Sequence, residues 1–448
     1  MKIYNKRIAF LVSHQTLIPH GGIGQFAKSF VELMVSNNIK VDIICDKPPA
    51  KSIFVDEIVL AGANIIWPLV SLPYTDHSAI FMYGDSFCYE RQANFRNALV
   101  ESLEENLYDA IVCNTYETIQ VAYSLGVSDV IQIIAYTHLE SQIFEQTQNP
   151  FLVETNELMR KQLLVKGITI GTQSEFNATK LSGAAKVLPI PFTERGLLSK
   201  FTVNREGILF IGRWEEGKNP ELFLKLIETT RLPAKVMTNA NGAKKFEERL
   251  SKLGVDYKIG ISIIGQEKVN FISSSRIAFN PSTVESYGIA FLETMTQLPT
   301  VGLRDSRWLS NFNKDYYFTT TKKSMAEDVR KLYDFYSTPD SYYAMGAIDY
   351  VRQENLNGGT AWVNCINEFT PKISHSDTAK ICESTEVKYA DYIRDLNRRI
   401  ICVDDVRSVL GNKSKFTVVY TDDNTYLSKD PKFVPVEEVV GKSLFEGL

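Results

Sequence analysis

The chain is poor in the residues that would mark a metalloprotein, a secreted scaffold or a membrane span. It has only six cysteines and five histidines in 448 residues. The cysteines, at positions 45, 88, 113, 365, 382 and 402, never approach Cys-x-x-Cys spacing. The histidines are scattered, so no zinc cluster of the usual kind is written into the chain and no metal is expected. Buried free thiols in a reducing compartment are the expectation. No apolar run reaches the roughly 20 residues of a spanning helix. The basic start, Met1 to Arg7, leads into an apolar run of only Ile8 to Val12, which suits a strand and not a signal segment. A cytoplasmic protein is expected. The net charge of −4 removes a global basic footprint for nucleic acid but leaves local basic patches open.

What the sequence has is alternation. Ile8–Val12 is followed by a loop with Pro19 and Gly21-Gly-Ile-Gly24. Then Phe26, Phe30, Leu33 and Met34 recur at helical spacing, and Val41–Cys45 starts a second strand. Strand, glycine loop, helix and strand make a βαβ unit. Strand candidates continue at Asn64–Trp67, Ala110–Cys113, Val130–Ala135 and Gly167–Ile170, with a helical stretch from Ser86 to Leu107. This order predicts a doubly wound parallel sheet.

Two prolines in Leu188-Pro-Ile-Pro-Phe192 break the pattern and mark a linker. It then restarts with a strand at Gly207–Ile211, a helix from Pro220 opened by Asn219-Pro220, and a strand at Lys235–Met237. Further strands are expected at Ile261–Ile264, Ile277–Phe279 and Thr300–Gly302, with a helix over Ile289–Thr296 and helices through Ser324–Phe369. The length suits two domains and an extension. The expected division is 1–192, 193–371 and a polar tail, 372–448, with helices near 387–399 and 403–410 and a strand at Phe416–Tyr420.

The residues that carry chemistry lie in three loops. Pro281-Ser-Thr-Val-Glu285-Ser-Tyr-Gly288 leaves a strand and enters a helix that carries Glu293. Two carboxylates bordering one crevice at the carboxyl end of a sheet suit the hydroxyls of a sugar, which donate hydrogen bonds. The bland reading is a helix-capping Glu285 and a solvated Glu293. Gly212-Arg213-Trp-Glu-Glu-Gly-Lys218 follows the second domain's first strand and supplies two cations for a diphosphate. Gly21-Gly-Ile-Gly24, before the first helix, is by itself as consistent with a plain tight turn.

Taken together, these loops resemble glycosyltransferase family 4, the retaining family of GT-B fold with a Glu-x7-Glu motif. The resemblance runs in order over roughly residues 8–370. Residues 281–293 match its P-S-x-x-E-S-[FY]-G-x-x-x-x-E element, 208–218 its G-R-x-x-x-x-K element, and 21–24 its glycine loop. Ser174-Glu175 and Val187-Leu-Pro-Ile-Pro191 fall where the family has its S-E and interdomain elements. Leu298 departs from the family's glycine before the proline, here Pro299, and the tail after 371 has no family counterpart.

The resemblance implies an α/β chain of GT-B fold: two Rossmann-like doubly wound domains facing a cleft, with a small C-terminal extension. It implies that Arg213 and Lys218 bind the donor diphosphate, Glu285 the sugar hydroxyls and Glu293 the ribose. Ser286, Tyr287 and Gly288 would reach sugar and phosphate through backbone N–H groups. Gly22 and Gly24 would bring the first helix to the donor or acceptor. His138 falls where the family places a strand-end histidine that points at the transferred sugar. The implied activity is retaining transfer from a nucleotide sugar, a UDP-sugar first, with no cofactor required.

A glycan or lipid-linked glycan is the expected acceptor, and no stretch signals membrane contact. A phage-type enzyme glucosylating modified DNA bases is the alternative, motivated by Asn397-Arg-Arg399, Lys413, Lys415, Lys429 and Lys432 in the tail. A non-catalytic nucleotide-sugar or DNA-binding protein on the same fold is the alternative of another class. No pyridoxal-phosphate lysine motif supports a phosphorylase, and epimerases of this fold lack the motif at 281–293. The oligomeric state is open.

Overall fold

The computed structural model describes residues 6–17, 22–71, 89–114, 118–119, 121–122, 131–137, 168–180, 185–192, 205–285, 287–336 and 341–368, together with three strands within 416–435. Two parallel sheets organise it. The first has strand order β3-β2-β1-β4-β5-β6-β7, formed by Lys6–Leu11, Ile39–Ile44, Asn64–Ile66, Ala110–Cys113, Gln132–Thr137, Thr169–Thr172 and Lys186–Val187 as β1 to β7. The second has order β10-β9-β8-β11-β12-β13 from Ile208–Ile211, Ala234–Thr238, Tyr257–Ile261, Ile277–Asn280, Thr300–Leu303 and Phe318–Thr320 as β8 to β13. In both sheets the order reverses beside the first strand, which opens a crevice at the carboxyl edge.

The central strands are short continuous apolar runs because both faces are covered. Ile8, Phe10 and Val12 pack under α1 (Gly22–Ser36), while Ala9 and Leu11 face α3 (Tyr89–Glu105). α2 (Ile53–Leu60) starts at Ser52, whose Oγ accepts from Val55 N. On the second sheet Phe210 meets Phe223 of α5 (Pro220–Thr230) and Phe246 of α6 (Ala240–Leu253), both at 5.2 Å between ring centres.

α4 (Glu175–Lys180) begins at Ser174, whose Oγ accepts from Asn177 N. Two further helices, α7 (Gly265–Ser273) and α8 (Ile289–Met295), flank the second sheet. α9 (Met325–Phe335) follows β13, and α10 (Ser341–Asn367) then crosses back to the first sheet.

The return of α10 ties the two sheets together. Trp362 is fully buried among Phe26, Phe30 and Tyr136, and its Nε1–H donates to Pro189 O at 2.9 Å. Lys6 Nζ and Gln132 Nε2 donate to Ile366 O and Cys365 O, so first-domain side chains satisfy the last carbonyls of the helix. Asn355 clasps the linker, accepting from Phe192 N at 2.8 Å and donating to Phe192 O at 2.6 Å.

The expected strand Ile261–Ile264 ends at Ile261, because β10 pairs with β9 from Tyr257 to Ile261 and the chain then turns at Ser262, with φ +50, into α7. Leu298, where the resemblance leads one to expect glycine, is fully buried with Leu209, Met237 and Ala278, so the turn before Pro299 is built on a core side chain. In the tail, β14 (Phe416–Tyr420) is the expected strand. It pairs antiparallel with β15 (Thr425–Lys429), which pairs with β16 (Lys432–Pro435). The expected helices near 387–399 and 403–410 lie outside the described residues. Among those described, Cys45, Cys113 and Cys365 are buried free thiols, and no helix is long and apolar enough to cross a membrane.

Candidate functional site

The site is assembled where strands of the second sheet end and helices begin. After β8 the chain runs through Gly212 and Arg213 into a 3-10 turn at Glu216–Lys218. Asn219 takes a left-handed conformation at φ 53, which asparagine tolerates better than most residues, and Pro220 opens α5. This turn fastens to the loop after β11: Thr283 N donates to Gly217 O at 3.0 Å. Lys218 Nζ reaches Glu285 Oε2 at 2.5 Å, with both side chains mostly shielded from solvent.

The 281–288 loop is held from beneath by aromatic packing. Ser282 O accepts from Trp308 Nε1 at 3.0 Å and from Ser306 Oγ at 2.7 Å. Tyr287 is buried edge-on against Phe312, and burial pushes its hydroxyl pKa well up, so it stays protonated. Gly288 has φ +93, and a Cβ there would lie 2.8 Å from Trp308 Cζ3. The residue must therefore be glycine for conformation and for space. α8 starts at once and carries Glu293 into its second turn. There Glu293 Oε1 accepts from Lys268 Nζ at 2.5 Å.

The sequence candidates are thus partly gathered. Lys218 and Glu285 touch. Glu293 lies on the helix that the same loop opens. Arg213 occupies the same loop as Lys218 and is half-exposed, with Nε 3.1 Å from Glu215 Oε1. Gly22 is the first residue of α1, and a Cβ on it would sit 3.6 Å from Cδ1 of Ile289, the first residue of α8, so the start of α1 lies against the start of α8. Gly24 is buried in the first turn of α1. Ser286 and His138 lie outside the described residues.

Two features left only a faint signal in the sequence. Lys268 is one; the only trace is a cation in the first turn of α7, where the helix dipole favours acids. The other is a buried polar cluster at the carboxyl ends of β1 and β2. Asp46 accepts from His14 N at 2.8 Å and lies 2.8 Å from His14 Nδ1. Arg91, fully buried, places Nη2 2.6 Å from Ser13 Oγ and Nε 3.5 Å from Asp46. His14 and Asp46 follow successive strands, which is the one pattern that could have joined them. No group of three or more His, Cys, Asp or Glu side chains among the described residues is placed to hold a metal ion.

Chemically, the second crevice offers cations for an anionic leaving group and carboxylates for hydroxyls. In this state each carboxylate is compensated by a lysine. Two doubly wound sheets with carboxyl edges turned toward one cleft, joined by a linker and a returning C-terminal helix, define the GT-B fold.

The solved structures similar to it carry that fold. Anabaena HepE, in complex with UDP and glucose, superposes with a TM-score of 0.57 at 14% identity, over 80% of this chain and 100% of HepE. Sucrose-phosphate synthase from Thermosynechococcus elongatus gives 0.58 at 13%, over 88% of this chain and 99% of the synthase. S. aureus TarM, in complex with fondaparinux, α-GlcNAc-glycerol and UDP, gives 0.58 at 11%, over 81% and 100%. At such identities the likeness is one of fold. No protein-family model matches the chain, and no curated protein matches it in sequence.

Proposed function

We propose that the chain is a retaining glycosyltransferase that moves a sugar from a nucleotide-sugar donor, a UDP-sugar first, to a hydroxyl of a glycan or lipid-linked glycan. The observation that carries this reading is the Lys218–Glu285 pair, 2.5 Å apart, at the carboxyl edge of one Rossmann-like sheet and facing the other. It fits a donor better than a bare structural ion pair, because the two residues come from the two loops on either side of the crevice. The neighbours that hold UDP with a sugar or glycan support the same reading.

In this reading the donor diphosphate takes Lys218 from Glu285 and also meets Arg213, so its negative charge is compensated without a metal. Glu285, released, accepts hydrogen bonds from the donor sugar. Backbone N–H groups of Ser286, Tyr287 and Gly288 reach sugar and phosphate, and Glu293 holds the ribose. The acceptor lies against the first domain, near Gly22, Gly24 and His138. Its hydroxyl oxygen bonds to the anomeric carbon on the face that the diphosphate leaves. The C–O bond to the diphosphate breaks, and the hydroxyl proton passes to the departing phosphate oxygen. The domains assigned to these tasks are 1–192 and 193–371, with 372–448 as an extension.

A donor screen tests the proposal. The protein is incubated with UDP-, GDP- and ADP-sugars while thermal shift and slow hydrolysis are followed. One nucleotide class should both stabilise the fold and be hydrolysed. No stabilisation by any nucleotide sugar or nucleoside diphosphate would refute it.

A further inference from the structure

Lys268 and Glu293 form the second lysine–carboxylate pair of the crevice. We propose that Lys268 is a specificity-determining residue that weakens the protein's preference for a ribonucleotide over its 2′-deoxy counterpart, so that 2′-deoxynucleoside diphosphate sugars belong to its donor class. The inference rests on the reading above in which Glu293 meets the donor ribose.

The geometry argues that the pair is more than a tie between helices. α7 starts where β10 ends and α8 where β11 ends, both at the carboxyl edge of the second sheet, and the Lys268–Glu293 contact joins the two helices there. The packing beneath them does not need the ion pair: Ile272 of α7 and Leu298 after α8 share a buried cluster with Leu209 and Ala278. Lys268 also sits in the helix turn where the macrodipole disfavours a cation, while its neighbour Glu267 obeys that preference. Both side chains stay partly open, at 28% for Lys268 and 13% for Glu293, so a ligand can reach the carboxylate without unpacking the domain.

The chemistry follows from charge. An uncompensated carboxylate accepts from both ribose hydroxyls in charge-assisted hydrogen bonds. A carboxylate whose oxygen already holds an ammonium at 2.5 Å accepts them nearly as a neutral group would. A hydrogen bond to a charged partner exceeds a neutral one by about tenfold in binding. Losing the 2′-hydroxyl therefore costs this protein about tenfold less than it would cost one with a bare glutamate at the same place.

The test compares three matched pairs, UDP with 2′-deoxy-UDP, GDP with 2′-deoxy-GDP and ADP with 2′-deoxy-ADP, by titration calorimetry on the full chain. For the pair that binds, the native protein should prefer the ribonucleotide by less than about tenfold. Lys268→Met should raise that preference by about tenfold, and Lys268→Arg should leave it near the native value. A merely structural lysine would lower the melting temperature of Lys268→Met and leave the ratio unchanged, which would overturn the inference. So would a native preference already above about tenfold. If no nucleoside diphosphate binds with any side chain at 268, the nucleotide-sugar reading itself fails and takes the inference with it.

Discussion

Replacing Gly288 with alanine adds one methyl group at the most constrained point of the site. Gly288 has φ +93, and a Cβ there would meet Trp308 Cζ3 at 2.8 Å, Trp308 Cε3 at 3.1 Å and Phe312 Cε2 at 3.3 Å. Trp308 has no room to yield. It is fully buried, its Nε1–H is bonded to Ser282 O, and it stands edge-on to Phe291 at 5.2 Å. The left-handed conformation costs an L-residue about 1–2 kcal/mol. Forcing a methyl into packed rings adds about 1–3 kcal/mol.

Gly254→Ala is the control, because Gly254 has φ +62 and nothing lies within 4 Å of its Cβ position, so only the first cost applies. Gly288→Ala should therefore be the less stable of the two by about 1–3 kcal/mol, a further fall of several °C in the melting of the second domain. Denaturant titration and calorimetry measure the difference directly. Because the displaced loop carries Glu285, Gly288→Ala should also weaken nucleotide-sugar binding where Gly254→Ala does not. Equal melting of the two variants would refute the packing argument.

Lys218→Met and Glu285→Gln should each lower kcat by about a hundredfold to a thousandfold, and the double variant should be little worse than either single one. Additive losses in steady-state kinetics would mean that the two side chains act separately. Trp362→Ala should cost about 3–5 kcal/mol and be visible as early melting of the first sheet, since the ring fills the space among Phe26, Phe30 and Tyr136.

Lys235 gives a pH test. Burial, with the Lys258 charge nearby, lowers its pKa to about 8, although Nζ donates to Ser274 O and Oγ. Between that value and its unfolded value the unfolded chain binds more protons, so this lysine's contribution to stability rises as pH increases from about 8 to about 10.4. Urea midpoints of the native protein and Lys235→Met should converge across that window, and parallel curves would rule the effect out.

Much of this was legible in the chain because it is local. Continuous apolar runs such as Ile8–Val12 and Ala110–Cys113 are what a strand covered on both faces requires, and they are strands at those places. The turn from Gly212 to Pro220 and the loop from Pro281 to Gly288 were readable from residue type. Asparagine, proline and glycine each suit one backbone geometry, and those geometries occur. The run Ile261–Ile264 misled because an apolar run does not say where pairing stops. The register against Ala234–Thr238 ends β10 at Ile261.

Sequence alone therefore determined the alternation of strand and helix, its restart after the proline-containing linker, and the loops bearing Lys218, Glu285 and Gly288, because each of these is written in a run of consecutive residues. Only the tertiary structure decided that Lys268 meets Glu293, that Asp46 gathers His14 and Arg91, and that α10 returns to bury Trp362 in the first sheet. Those contacts join residues 25 to more than 300 positions apart in the chain. They follow from how two sheets and their helices pack, a geometry that leaves no periodic trace in the order of the amino acids.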